Sequence, residues 1–132
     1  MPRRTTATPP GEAKDLKNHS FEMLVATWLM QDGWQVFVPL LDHGHCTDLL
    51  ISDGPKYYRL QIKTIEAQSE AYKLQNRWSH SNIDYVMVFA KNSNWGYIPP
   101  AFKERQKRLD AKEHQKFQHS RAAFLKAFHS VA

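Results

Sequence analysis

The sequence predicts an α/β domain, a mixed sheet of four or five strands with a helix packed on each face, and three observations predict it. Leu16, Phe21, Leu24, Val25, Trp28 and Leu29 recur at three- and four-residue spacing, the period of an amphipathic helix. Two apolar runs then flank Asp53-Gly54-Pro55, turn chemistry that joins neighbouring strands into a hairpin. Farther on, Tyr85-Val86-Met87-Val88-Phe89 is an unbroken apolar run of strand length.

Taken in order, residues 1–12 hold Pro2, Pro9, Pro10 and Gly11 among Arg and Thr, too little apolar surface to order themselves, and are expected to be a flexible arm. The helix is expected over residues 15–31, with Gly33 where a left-handed C-terminal cap belongs. Strands follow at 34–40, 47–52 and 56–65. Residues 69–78 are expected as a second helix and 83–90 as a buried strand. Asn92-Ser93-Asn94 turns into a short strand at 95–98, which Pro99-Pro100 stops. Residues 101–132 are expected to be a basic helical segment whose apolar members are Phe102, Leu109, Phe117, Phe124, Leu125 and Phe128. The core of the domain is thus assigned to 13–100. No repeat or low-complexity block interrupts it.

Length and composition set limits. A chain of 132 residues, 42% hydrophobic and 12% aromatic, buries one core of ordinary size and leaves little room for a second. Cys46 is the single cysteine, which excludes an internal disulfide framework and any Cys-x-x-Cys zinc site and fits a reducing compartment. The N-terminus is charged but has no apolar stretch behind it, and nowhere do about eighteen apolar residues run together. Secretion and membrane spanning are not expected; a cytoplasmic or nucleoid-associated protein is. The net charge of +5 arises wholly after residue 100, where eight Lys and Arg face three acids. Lys103, Arg105, Lys107 and Arg108 are therefore the leading candidates for contact with nucleic-acid phosphate, with Arg3 and Arg4 behind them.

Side chains alternate along a strand, so Tyr57, Arg59, Gln61 and Lys63 share one face of the third strand while Tyr58, Leu60 and Ile62 share the other. Gln61 and Lys63 consequently project side by side. Asp48 stands at the start of the hairpin's first strand, thirteen residues before Gln61, and Glu22 stands at the margin of the helix's apolar stripe. In this arrangement Thr47-Asp48-Leu49-Leu50-Ile51 and Leu60-Gln61-Ile62-Lys63-Thr64 resemble the PD-(D/E)xK nuclease superfamily, whose motif is an acid, a hairpin turn, and then (Asp/Glu/Gln)-x-Lys. The strings Gly33-Trp34-Gln35-Val36-Phe37-Val38-Pro39, Asp84-Tyr85-Val86 and Tyr97-Ile98-Pro99 narrow the resemblance to the branch associated with group I intron homing endonucleases. Archaeal Holliday-junction resolvases share much of the same frame. The resemblance spans about 18–100 and leaves both ends of the chain unmatched.

The resemblance implies a restriction-endonuclease-like fold and Mg²⁺-dependent hydrolysis of DNA, double-stranded or branched, with Mn²⁺ able to substitute. Phosphodiester hydrolysis needs a water deprotonated near neutral pH and a charge to neutralise the pentacoordinate phosphate, and a carboxylate-bound divalent cation provides both. Asp48 is then the central metal ligand, helped by Glu22, the Gln61 amide oxygen and the Ile62 backbone carbonyl, while Lys63 orients the water or stabilises charge on the phosphate. Gln61 stands where most relatives carry a carboxylate, which removes one negative charge from the site. A single site cuts one strand, so a homodimer or higher homo-oligomer is expected, with the apolar positions of the C-terminal helix available for assembly. A junction resolvase is the alternative enzyme, and a silent DNA-binding module on the same frame is the alternative from another class. His43-Gly44-His45-Cys46 lacks a fourth zinc ligand at any usual spacing and reads as a loop bordering the site. Most aromatic residues read as core, Trp28 and Tyr85 first among them, with Tyr57, Trp78 and Trp95 less settled.

Overall fold

Pro10 is preset for the first helical position, where its missing N–H costs nothing, and the first helix of the computed structural model, which describes residues 1–131, begins there. This helix, α1 (Pro10–Gln31), starts five residues before the expected position and is capped by Asp32, followed by Gly33 at φ 97°. Its first half overhangs the sheet, leaving Leu16 exposed; its second half buries Val25, Ala26, Trp28 and Leu29.

Eight strands follow: β1 (Gln35–Phe37), β2 (Leu49–Ser52), β3 (Tyr57–Ile65), β4 (Lys73–Gln75), β5 (Tyr85–Ala90), β6 (Trp95–Ile98), β7 (Gln106–Arg108) and β8 (Gln115–Gln118), before the closing helix α2 (Arg121–Val131). Six of them form one mixed sheet in the order β1-β2-β3-β5-β6-β8, in which only β3 and β5 run parallel. The expected hairpin is β2–β3, turned by Gly54 at φ 115°. Asp84 explains its place beside the hairpin: its carboxylate accepts the Arg59 N–H at 2.7 Å and its own N–H donates to the Arg59 carbonyl, clamping the start of β5 to β3.

Both helices pack on the same face of the sheet, against Leu60, Ile62, Met87 and Phe89, so the expectation of one helix per face is corrected. The opposite face carries Ile65, Val86 and Val88 and is covered by a two-stranded ribbon, β4–β7, with Leu74, Trp78, Phe102 and Leu109. Residues 69–78 are therefore not a helix. Only Leu74 and Trp78 in that stretch are buried, and Leu74 lies between two paired strand neighbours. The expected helix from 101 to 129 is likewise helical only over α2. Phe117 is buried between exposed Lys116 and Gln118, a period of two, and this places β8 on the edge of the main sheet. The sheet thus has six strands, and residues past 100 supply the last of them together with Phe124 and Phe128 of the core. No helix among the described residues is long and apolar enough to cross a membrane.

Candidate active site

β2 is shorter than β3, and the site lies where that mismatch leaves β3 without a neighbour. The β2–β3 register ends at Leu49 and Leu60, so Gln61 to Ile65 have β5 on one side and an open edge on the other. Asp48, immediately before β2, closes the ladder with both its backbone and its side chain. Its N–H donates to the Leu60 carbonyl at 2.9 Å, and its carboxylate oxygen Oδ2 accepts the Ile62 N–H at 2.8 Å. Strand geometry turns a residue's N–H and C=O toward the same neighbour in an antiparallel pair, so the Ile62 carbonyl also faces this open edge.

The electrostatics of Asp48 are unusual. Burial, helped by the charges of Glu22 and Asp42, pushes its carboxyl up to about 6 against the pull of the Ile62 N–H. Glu22 thus acts on Asp48 from α1, where it is one-quarter exposed and bonded to His19 Nδ1 at 3.0 Å. Gln61 adds a second anomaly: its Oε1 is buried and has no hydrogen-bond partner. A buried amide oxygen without a donor costs free energy unless something cationic or protic meets it. A carboxylate in no ion pair among the described residues, with an orphaned amide oxygen on the strand that it caps, offers the oxygen donors a hard divalent cation takes. No group of three or more His, Cys, Asp and Glu converges among the described residues, so such an ion would rely on the Gln61 amide, the Ile62 carbonyl and water to complete its shell.

Lys63 projects from the same face of β3 as Gln61. Burial lowers the pKa of its ammonium, and the charge of Arg77 lowers it further. Arg77 is exposed in the loop after β4 and was not singled out in the sequence, since only the fold carries it back to Lys63. His19 was also missed, although its i,i+3 relation to Glu22 on a helix signals the pair.

The four basic residues proposed for phosphate contact are divided by the fold. Lys107 pairs with Glu113 and Arg108 with Asp110, at 2.9 Å, whereas Lys103 and Arg105 are exposed and make no ion pair among the described residues. His43 and Cys46 adopt positive φ in the loop before Asp48, and Cys46 Sγ lies 3.8 Å from His80 Nε2. Of the aromatic residues left open, Trp78 is core, Trp95 is partly buried and Tyr57 is exposed.

The chain thus combines an antiparallel-edged mixed sheet with an acid before one hairpin strand and Gln-x-Lys on the next, a restriction-endonuclease-like fold. Two solved structures are similar to it. A bacterial homing endonuclease, I-Ssp6803I, superposes with a TM-score of 0.53 and 20% identity over 66% of this chain, which spans 64% of that one. Hjc, a Holliday junction resolvase from the archaeal hyperthermophile Archaeoglobus fulgidus, superposes with a TM-score of 0.50 and 16% identity, covering 83% of this chain and 88% of that one. At these identities the likeness is one of fold. No protein-family model and no curated protein matches the chain.

Proposed function

We propose that the chain is a divalent-cation-dependent DNA endonuclease. The observation that carries this reading is a half-buried Asp48 carboxylate, in no ion pair among the described residues and bonded to the Ile62 N–H, on the same stretch of β3 as the orphaned Gln61 Oε1. Asp48, Gln61 and the Ile62 carbonyl, with Glu22 behind them, are the residues that would hold Mg²⁺ or Mn²⁺. When bound, the ion supplies a water acidic enough to attack near neutral pH and a charge that neutralises the phosphate. Asp48 is held in place for this by the Ile62 N–H, so little reorganisation accompanies binding. The Lys63 ammonium, next to Gln61 along the same strand face, donates to a phosphate oxygen or orients the attacking water.

The resolvase reading has its own support. The match to Hjc covers 83% of this chain and 88% of that one, whereas the match to the homing endonuclease covers about two thirds of each. Cleavage of linear, flapped and four-way DNA in Mg²⁺ separates the two, and Lys63→Ala tests the chemistry on whichever substrate is cut. The expected result is loss of at least about 100-fold in cleavage rate with binding retained. A variant as active as the wild type would point instead to a module that holds the frame without turnover.

A second cut in the opposite strand requires a second copy, and the surface offers a place for one. Phe124, Ala127 and Phe128 of α2 are buried in the core and so are taken from that role, while Leu125 is half-buried. Phe37, Val38, Leu40, Leu41 and Tyr57 form instead an exposed apolar patch around β1, a free edge of the sheet.

A further inference from the structure

β3 and β5 are the sheet's parallel pair, and the carboxyl ends of parallel strands form a crevice where ligands commonly bind. Here that crevice is a cleft of about 360 Å³ between α1 and the end of β3, lined by Lys14, Asn18, Lys63, Thr64, Tyr72 and Lys91. Three ammonium groups thus line one cleft. The acid among its walls is Glu66, which is 64% exposed and lies 3.2 Å from the Lys91 Nζ. Lys14 and Lys63 make no ion pair among the described residues, so the cleft holds an excess of positive charge with Lys91 already fixed in it: that side chain is only 8% exposed. Asn18 is oriented as well, because its Oδ1 accepts the Thr64 hydroxyl at 3.0 Å, which leaves its amide N–H groups as free donors.

We propose that this cleft binds a second backbone phosphate of the DNA strand whose scissile phosphate lies at Lys63, with Lys14, Lys91 and the Asn18 amide as its ligands. The inference rests on the nuclease reading above. Ammonium groups bind phosphate as point charges, and a nucleic-acid strand is the ligand that presents one phosphate to Lys63 and the next to its neighbours. Glu66 occupies Lys91 until the phosphate displaces it. Lys14 and Lys91 are positioning residues here: they fix the register of the strand and leave the chemistry to the residues around Asp48.

The test uses the full chain, the DNA that it cuts in the substrate panel, and versions of that DNA with single phosphates near the cut replaced by uncharged methylphosphonate. Lys14→Ala with Lys91→Met, the latter keeping the buried stem, is expected to weaken DNA binding about tenfold and to flatten the log–log salt dependence by about two. The loss falls on KM rather than kcat. One methylphosphonate position is expected to penalise the wild type and not the double variant. Glu66→Gln is expected to tighten binding about threefold, the size of one exposed ion pair. Unchanged affinity and salt slope in the double variant, or the same methylphosphonate penalties in both proteins, overturns the inference while leaving the nuclease reading intact. Absence of any binding or cleavage by the wild type overturns both. Should the double variant misfold, Lys14→Ala alone, on the exposed face of α1, must flatten the salt slope by about one, and an unaltered slope overturns the proposal.

Discussion

Asp48 is under opposing demands. Its carboxylate must be charged to hold a cation, yet burial and the neighbouring acids favour the protonated form and raise its pKa from 3.8 to about 6. Between those two values the native state binds more protons than the unfolded chain, so without metal this group makes stability fall as pH rises through about 4 to 6, and the penalty is complete above that window. Asp48→Asn keeps an oxygen for the Ile62 N–H and removes the charge. It is therefore expected to be more stable than the wild type by about 1 kcal/mol in metal-free urea unfolding at pH 8, with the gain absent at pH 4. A variant less stable at both pH values would mean that no unpaired charge is stored there. Gln61→Glu works in the other direction by adding a third acid beside Asp48 and Glu22. Cleavage is expected to persist with altered metal dependence, saturating at lower Mg²⁺; complete loss with the fold intact contradicts Gln61 as a ligand.

Elements marked by a visible period or a flanking turn were legible in the sequence, and those without one were not. α1, the β2–β3 hairpin, β5 and β6 each follow from a visible period or turn. β4, β7 and β8 span three or four residues, too few to establish alternation, and owe their form to partners distant in the chain: Leu74 to Lys107, Phe117 to Gly96. The charge of residues 101–120 obscured this further by resembling a solvated helix face. Gly96 shows how tightly the last strands fit. A Cβ there would lie 2.5 Å from both the Val88 carbonyl and the Phe117 ring. Gly96→Ala is accordingly expected to cost about 2 kcal/mol, measured as a lowered midpoint in urea; an unchanged midpoint would mean that β8 packs less closely than described. The candidate site divides in the same way. The sequence singles out Asp48, Gln61 and Lys63 by strand alternation and a hairpin, and Glu22 by the helix's apolar stripe, whereas only the fold brings Arg77, Lys14 and Lys91 toward Lys63.

Across the whole molecule, charge and apolar surface are segregated. The cleft at the end of β3 gathers lysines, while the loop after the edge strand β1 exposes Leu40 and Leu41. A patch of that kind suits a second copy of the chain better than a polyanion. Leu40→Glu with Leu41→Glu is expected to shift sedimentation from dimer to monomer and to convert double-strand cuts into nicks; an unaltered sedimentation coefficient places the interface elsewhere. The central claim is that Asp48 and its neighbours hold the ion on which hydrolysis depends, and cleavage of the best substrate by wild type and Asp48→Asn across an Mg²⁺ titration tests it most directly. The expected result is cleavage by the wild type that rises with Mg²⁺ and stops in EDTA, against binding without cleavage by Asp48→Asn. Cleavage that survives EDTA, or that the variant performs as well as the wild type, would contradict it.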